Sequence, residues 1–133
     1  MHDPAESLNV LGTRISAVDM AAAMDQIASW IAESRTGRYV CVTGVHGVME
    51  SLRDSSIRHI HNQADMCVPD GMPMTWIGRL KGRREMSRVY GPDLMRNMLK
   101  RSLSHEWTPY FYGGNTGVAE DLSRKMQMAF PGL

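Results

Sequence analysis

Three short stretches of this sequence set glycines beside residues that can do chemistry: Thr43-Gly44-Val45-His46-Gly47, Pro69-Asp70-Gly71-Met72-Pro73 and Gly113-Gly114-Asn115-Thr116-Gly117. Asp70 ends an apolar run, where a carboxylate is held rigidly enough to serve as a general base. On that feature alone the commoner role of an Asp-Gly pair is favoured, a turn that caps the next helix. Asp65 opens the same run, at its opposite end, and reads as structural. His46 carries the side chain most used for proton transfer, although an imidazole bonded to backbone is the commoner outcome. The glycines at 113, 114 and 117 would let backbone N–H groups approach a phosphate at a helix N-terminus. A tight strand-to-helix turn with Asn115 or Thr116 as N-cap explains the same residues. The loop matches neither the dinucleotide fingerprint nor GxxxxGK[ST], and no Lys follows Gly117, so a P-loop ATPase is disfavoured.

Five basic residues fall between Arg79 and Arg88 (Arg79, Lys81, Arg83, Arg84, Arg88). Most of this stretch reads as a solvated loop. Arg88 is the best placed to clamp a diphosphate, for which a guanidinium is well shaped, because it leads back into the fold through Val89-Tyr90-Gly91-Pro92-Asp93. Asp93 lies in the first turn of a helix, where it caps or bonds a sugar hydroxyl, capping being the safer assignment. No Cys/His spacing suits zinc, and no DxD pair suits a hard metal ion. A metal-independent site is the simpler expectation.

The elements that must position these residues follow from hydrophobic periodicity. Leu8, Val10 and Ile15 around Gly12-Thr13 predict an opening hairpin over about residues 8–18. Met20, Met24, Ile27 and Ile31 recur at helical spacing, with Asp19 as N-cap and Gly37 as the stop. Residues 39–43 and 65–68 read as short buried strands, and 110–112 as a third. Helices are expected from Val48 to Arg53, from a Ser55 or Ser56 cap through Ala64, from Pro73 through Leu80, from Pro92 through Leu103, and from Val118 through Ala129. Strand, glycine turn and helix alternate three times. Short apolar strands need cover on both faces, so the expected fold is α/β: a Rossmann-like, open, mostly parallel sheet with helices on both faces. In such sheets ligands bind beyond the carboxyl ends of the strands, where all three glycine loops fall. With no repeats or linkers, residues 1–133 read as one domain, its core spanning about 19–133. The sheet looks unfinished at Pro131-Gly132-Leu133, and the sequence reads as C-terminally incomplete.

Composition narrows the classes further. Over 133 residues, 15 Lys and Arg against 14 Asp and Glu give a net charge of +1, which argues against a nucleic-acid binder driven by bulk charge. With 43% hydrophobic and 22% charged residues the chain is globular rather than disordered. Cys41 and Cys67 lie in apolar runs and read as buried thiols of a reducing compartment. Nothing resembles a signal peptide or a membrane span, so the cytoplasm is the default location. Twelve methionines read chiefly as core filler. Trp76 and Trp107 leave room for self-association or lipid contact.

Taken together, VLGTRI, VTGVHGVMESLRD, NQADMCVPDGMPMTW, SRVYGPDLM and YFYGGNTGVAEDL resemble the WecG/TagA/CpsF family of glycosyltransferases, in the family's order and spacing, from about Leu8 to Leu133. The resemblance implies inverting, metal-independent transfer of an N-acetylmannosamine-type sugar from a UDP-sugar to a polyprenyl-diphosphate-linked acceptor, in the synthesis of wall teichoic acid, common antigen, capsule or exopolysaccharide. No cofactor is implied beyond the donor. The location implied is cytoplasmic and peripheral, at the inner face of the plasma membrane. By the same resemblance Asp70 is the catalytic base, Thr43 is tied to the site, and Gly113, Gly114 and Asn115 lie by the nucleotide. The reading of the residues themselves adds Arg88 to the catalytic group and His46, Gly71 and Asp93 to the substrate-binding group. Gly44-Val45-His46-Gly47 stands where many members carry an Asn, which points to an exopolysaccharide-type branch. Family members also continue beyond this endpoint with a basic C-terminal segment.

Two other functions compete. One is a nucleotide- or nucleotide-sugar-binding module without catalysis. The other is a dinucleotide-dependent oxidoreductase, which stands well behind because Gly44-Val45-His46-Gly47 lacks the G-x-G-x-x-G turn.

Overall fold

A hairpin opens the computed structural model, which describes residues 6–34 and 36–133. Strands β1 (Ser7–Val10) and β2 (Thr13–Ser16) pair antiparallel, Leu8 opposite Ile15. Both turn residues, Leu11 and Gly12, have positive φ (51° and 89°), the combination whose twist matches a two-residue hairpin. Asn9 Oδ1 accepts from Gly12 N at 2.9 Å and fixes the turn. Leu8, Val10 and Ile15 are buried, and Asn9 and Leu11 face outward.

Helix α1 (Met20–Ala32) starts where expected, with the Asp19 carboxylate accepting from Ala22 N at 2.8 Å. It stops short of Gly37, and Ser34 then takes a left-handed φ of 52°. Its buried residues are Ala23 and Ala28, which flank the predicted face rather than belong to it, and Ile31 of that face is exposed, so close packing selects the small side chains. Strand β3 (Val40–Thr43) leads through Gly44 into α2 (Val45–Arg53), which begins three residues earlier than predicted. Asp54 ends α2 and caps α3 (Ser55–Gln63) by accepting from Ser56 N at 2.7 Å. This corrects the expected Ser55 or Ser56 cap; the carboxylate just upstream is the stronger acceptor.

Strand β4 (Met66–Pro69) is buried at every position and pairs in parallel with β3, Cys41 opposite Cys67 and Thr43 opposite Pro69. Ser16 Oγ accepts from Cys67 N at 3.0 Å and ties the hairpin to β4. Asn62 of α3 clamps the hairpin from the other side, accepting from Arg14 N at 2.8 Å and donating to Gly12 O at 2.9 Å. Helix α4 (Met72–Leu80) buries Met74, Thr75 and Gly78 and turns Met72, Trp76 and Leu80 outward. A Cβ at Gly78 would collide with the buried Met86 sulfur. Met66, Met74 and Met86 are core residues, whereas Met49, Met72 and Met128 are exposed, so methionine serves as filler in part only.

The fold is α/β, as the strand-and-helix rhythm predicts. Its parallel sheet holds two strands among the described residues, however, and the third expected strand is absent. Residues 110–112 have no ladder partner, and Tyr110 and Tyr112 are 87% and 94% exposed. A strand needs a neighbour to take its N–H and C=O groups, and alternating Tyr-Phe-Tyr supplies strand propensity without one.

The chain forms two compact units, one reaching Leu94 and the other running from Met95 to Leu133. The first holds both sheets. Helix α5 (Gly91–His105) begins in the first and supplies most of its length to the second, where Leu99 and Ser102 are buried. Helix α6 (Val118–Ala129) forms as predicted but buries no residue; of its apolar stripe Leu122 and Met126 are half-buried and Val118 and Ala129 are exposed. A recess of about 520 Å³ in the second unit is bordered by Trp107, Phe111 and Gln127. No helix among the described residues is long and apolar enough to cross a membrane.

Candidate functional site

The carboxyl ends of β3 and β4 lie side by side because the two strands are parallel and in register. The loops that leave them are therefore neighbours, and Asp70 N donates to Thr43 O at 3.0 Å. Thr43 itself is fully buried, and its Oγ1 has no hydrogen-bond partner among the described residues. The Thr43 hydroxyl thus faces the interior while its carbonyl holds Asp70.

Asp70 does not cap α4. The N-cap is Gly71, with φ of 107° and no side-chain cap, a conformation that glycine adopts without the strain a side chain would bring. The Asp70 carboxylate is instead 29% exposed, and the Arg88 Nε stands 3.7 Å from its Oδ1. This answers the ambiguity of the Asp-Gly pair: the turn is made by Gly71, and the carboxylate is left over.

Arg88 is brought there by backbone pairing. Val89 is fully buried, and its N–H donates to Pro69 O at 2.8 Å, so residues 88–90 run alongside the end of β4. Arg88 and Tyr90 flank Val89, and the guanidinium carbon lies 4.7 Å from the Tyr90 ring centroid. Tyr90 carried no role in the sequence reading. The available signal was its i,i+2 spacing from Arg88 in an extended segment, which puts both side chains on one face. His46 is exposed in the first turn of α2, beside the same loop, and Asp93 is exposed in the first turn of α5, where a carboxylate complements the helix dipole.

Gly113, Gly114 and Asn115 belong to the second unit. With Thr116 and Gly117 they border an open recess of about 320 Å³. Gly113, Gly114 and Gly117 all have positive φ, at 105°, 77° and 87°. The N-cap of α6 is Gly117 without a side-chain cap, which corrects the expected Asn115 or Thr116 cap; Asn115 contributes its carbonyl, accepting from Val118 N at 3.1 Å. Glu120 and Asp121 occupy the first turn of α6. Hydrogen bonds from Lys125 and then Arg124 hold the Asp121 carboxyl below the usual carboxylate range.

The sequence profile of the glycosyl transferase WecG/TagA/CpsF family matches residues 8–133. This chain belongs to that family. A curated relative from Bacillus spizizenii, an N-acetylglucosaminyldiphosphoundecaprenol N-acetyl-beta-D-mannosaminyltransferase, is 22% identical over 101 residues. The alignment covers 76% of this WecG/TagA/CpsF chain and 39% of the relative, so the match spans about two fifths of that enzyme's length.

Proposed function

We propose that this WecG/TagA/CpsF chain carries the catalytic base of a glycosyltransferase that moves an N-acetylmannosamine-type sugar from a UDP-sugar to a polyprenyl-diphosphate-linked saccharide. The observation that carries the reading is the Asp70–Arg88 pair: a carboxylate freed from capping at a strand's carboxyl end, with a guanidinium 3.7 Å away. The relative's name supplies the acceptor class and the sugar. In the reaction, the acceptor hydroxyl gives its proton to the Asp70 carboxylate as its oxygen attacks the anomeric carbon. The bond from that carbon to the diphosphate breaks with inversion, and UDP leaves. The transition state has oxocarbenium character. Negative charge grows on the leaving diphosphate, which Arg88 stabilises without a metal ion. Thr43 supports Asp70 through its backbone carbonyl. His46, Gly71 and Asp93 serve the sugar and acceptor. In the second unit, Gly113, Gly114 and Asn115 offer backbone donors of the kind that suit a phosphate. A lipid-linked acceptor brings the protein to the inner face of the plasma membrane.

The test is transfer by the full-length gene product, with UDP-N-acetylmannosamine as donor and N-acetylglucosamine on a polyprenyl diphosphate as acceptor. Formation of the disaccharide lipid is expected, with EDTA leaving the rate unchanged. Calorimetric binding of UDP with no transfer would replace the enzyme by a nucleotide-binding module.

A further inference from the structure

We propose that Tyr90 is a positioning residue for Arg88, keeping the guanidinium beside Asp70 but open to the leaving diphosphate; this rests on the reading of the site given above. An arginine that is 48% exposed has many rotamers of similar energy in water. Two of its outcomes would be unproductive: closing fully onto the carboxylate, or swinging into solvent. The observed geometry is neither. Arg88 Nε is 3.7 Å from Asp70 Oδ1, which is an ion pair beyond hydrogen-bond length. The guanidinium carbon lies over the Tyr90 ring at 4.7 Å from its centroid, well within the range of a cation–π contact.

The backbone that carries the ring is fixed on both sides. The Val89 N–H bond to Pro69 O anchors the backbone between the two side chains, and Tyr90 O accepts from Leu94 N at 2.9 Å at the start of α5. Tyr90 is 40% exposed, so its ring serves as a half-open platform rather than a core side chain. A cation–π contact uses none of the guanidinium's N–H donors, which are left to pair with phosphate oxygens. Tyr90 therefore acts through Arg88 and needs its ring, not its hydroxyl.

A double-variant cycle on the full-length gene product tests this, using the transfer assay above. Tyr90→Phe retains the ring and is expected to keep kcat/KM for the donor within about twofold, whereas Tyr90→Leu lowers it about tenfold. In an Arg88→Ala background the Tyr90→Leu change is expected to cost nothing further, because the group it positions is gone. Thermal unfolding midpoints check that each variant folds, and Tyr90→Gln takes the place of Tyr90→Leu in the cycle if the latter does not. Equal losses from Tyr90→Leu with and without Arg88, or a Tyr90→Phe loss as large as that of Tyr90→Leu, would overturn this inference alone. An Arg88→Ala enzyme of undiminished rate would overturn the site assignment and the inference with it.

Discussion

Gly44 faces the backbone of Asp70 so closely that a Cβ at position 44 would stand 2.7 Å from the Asp70 carbonyl oxygen. Gly44 has φ of −106°, which any residue adopts, so the requirement is for space. The listener to that space is the loop that presents the carboxylate. Gly44→Ala must push the β3 and β4 loops apart, and misplacing a catalytic group by about 1 Å can cost on the order of 10²-fold in rate. The expected result is a fall in transfer of that order, with overpacking lowering stability by about 1–3 kcal/mol. Steady-state transfer and urea unfolding measure the two. An alanine variant with wild-type rate would mean that the loops are not coupled to catalysis.

Asp70 leaves helix capping to Gly71, so replacing its carboxylate should spare the fold. Asp70→Asn keeps the shape and removes the base. Turnover should fall by roughly 10² to 10⁴-fold, the usual worth of general-base catalysis. UDP affinity, read by calorimetry, should remain because the base touches the acceptor rather than the nucleotide. Wild-type-like turnover in the variant would remove Asp70 from the mechanism.

Cys41 and Cys67 face each other across the parallel pair, yet they differ in reach. Burial, and then the neighbouring Cys41, push the Cys67 thiol up to about 12, and burial also raises Cys41, which is only partly enclosed. The thiolate is the nucleophile, so at pH 7.4 Cys67 should resist iodoacetamide in the native protein and react only on unfolding. Cys41 should label slowly but first. Peptide mapping by mass spectrometry distinguishes them, and early modification of Cys67 would show that β4 opens locally.

Much of this organisation was legible from residue types. Asp19, the Gly12 turn, Pro73 and Pro92 act locally, and local chemistry fixes where elements begin. The two parallel strands were readable because residues 40–43 and 66–69 are apolar and bounded by turn residues, but only β4 is buried as expected; in β3 Thr43 is buried and Val42 is exposed. The strand expected at Tyr110 to Tyr112 does not form, and residue types could not show that, because pairing depends on a neighbour that lies elsewhere in sequence. The same holds at the site. Asp70 was visible as a residue, but its freedom from capping depends on the φ of Gly71, and its partnership with Arg88 depends on Val89 pairing with Pro69. Tyr90 went unassigned because its role arises only when that pairing puts Arg88 on its ring.

Asp65 lies at the opposite end of β4 from Asp70, and there the carboxylate is structural. It pairs with Arg38 and accepts from Tyr39 N at 3.0 Å, while Asp65 N donates to Tyr39 O at 3.1 Å. Burial alone would raise its carboxyl; the bonds from Arg38 and Tyr39 more than offset that and hold it below the usual range. A carboxyl depressed in the folded state contributes stability above its unfolded value, about 3.9, and that contribution is lost as pH falls through the lower folded value. Asp65→Asn should therefore cost about 1 kcal/mol at pH 7, a modest figure because Arg38 is 39% exposed and solvent screens the pair. The gap between wild type and variant in urea unfolding should narrow as pH falls from 4 toward 2. A gap that stayed constant over that range would mean that the amide's lost packing, and not the charge, fastens the amino ends of β3 and β4.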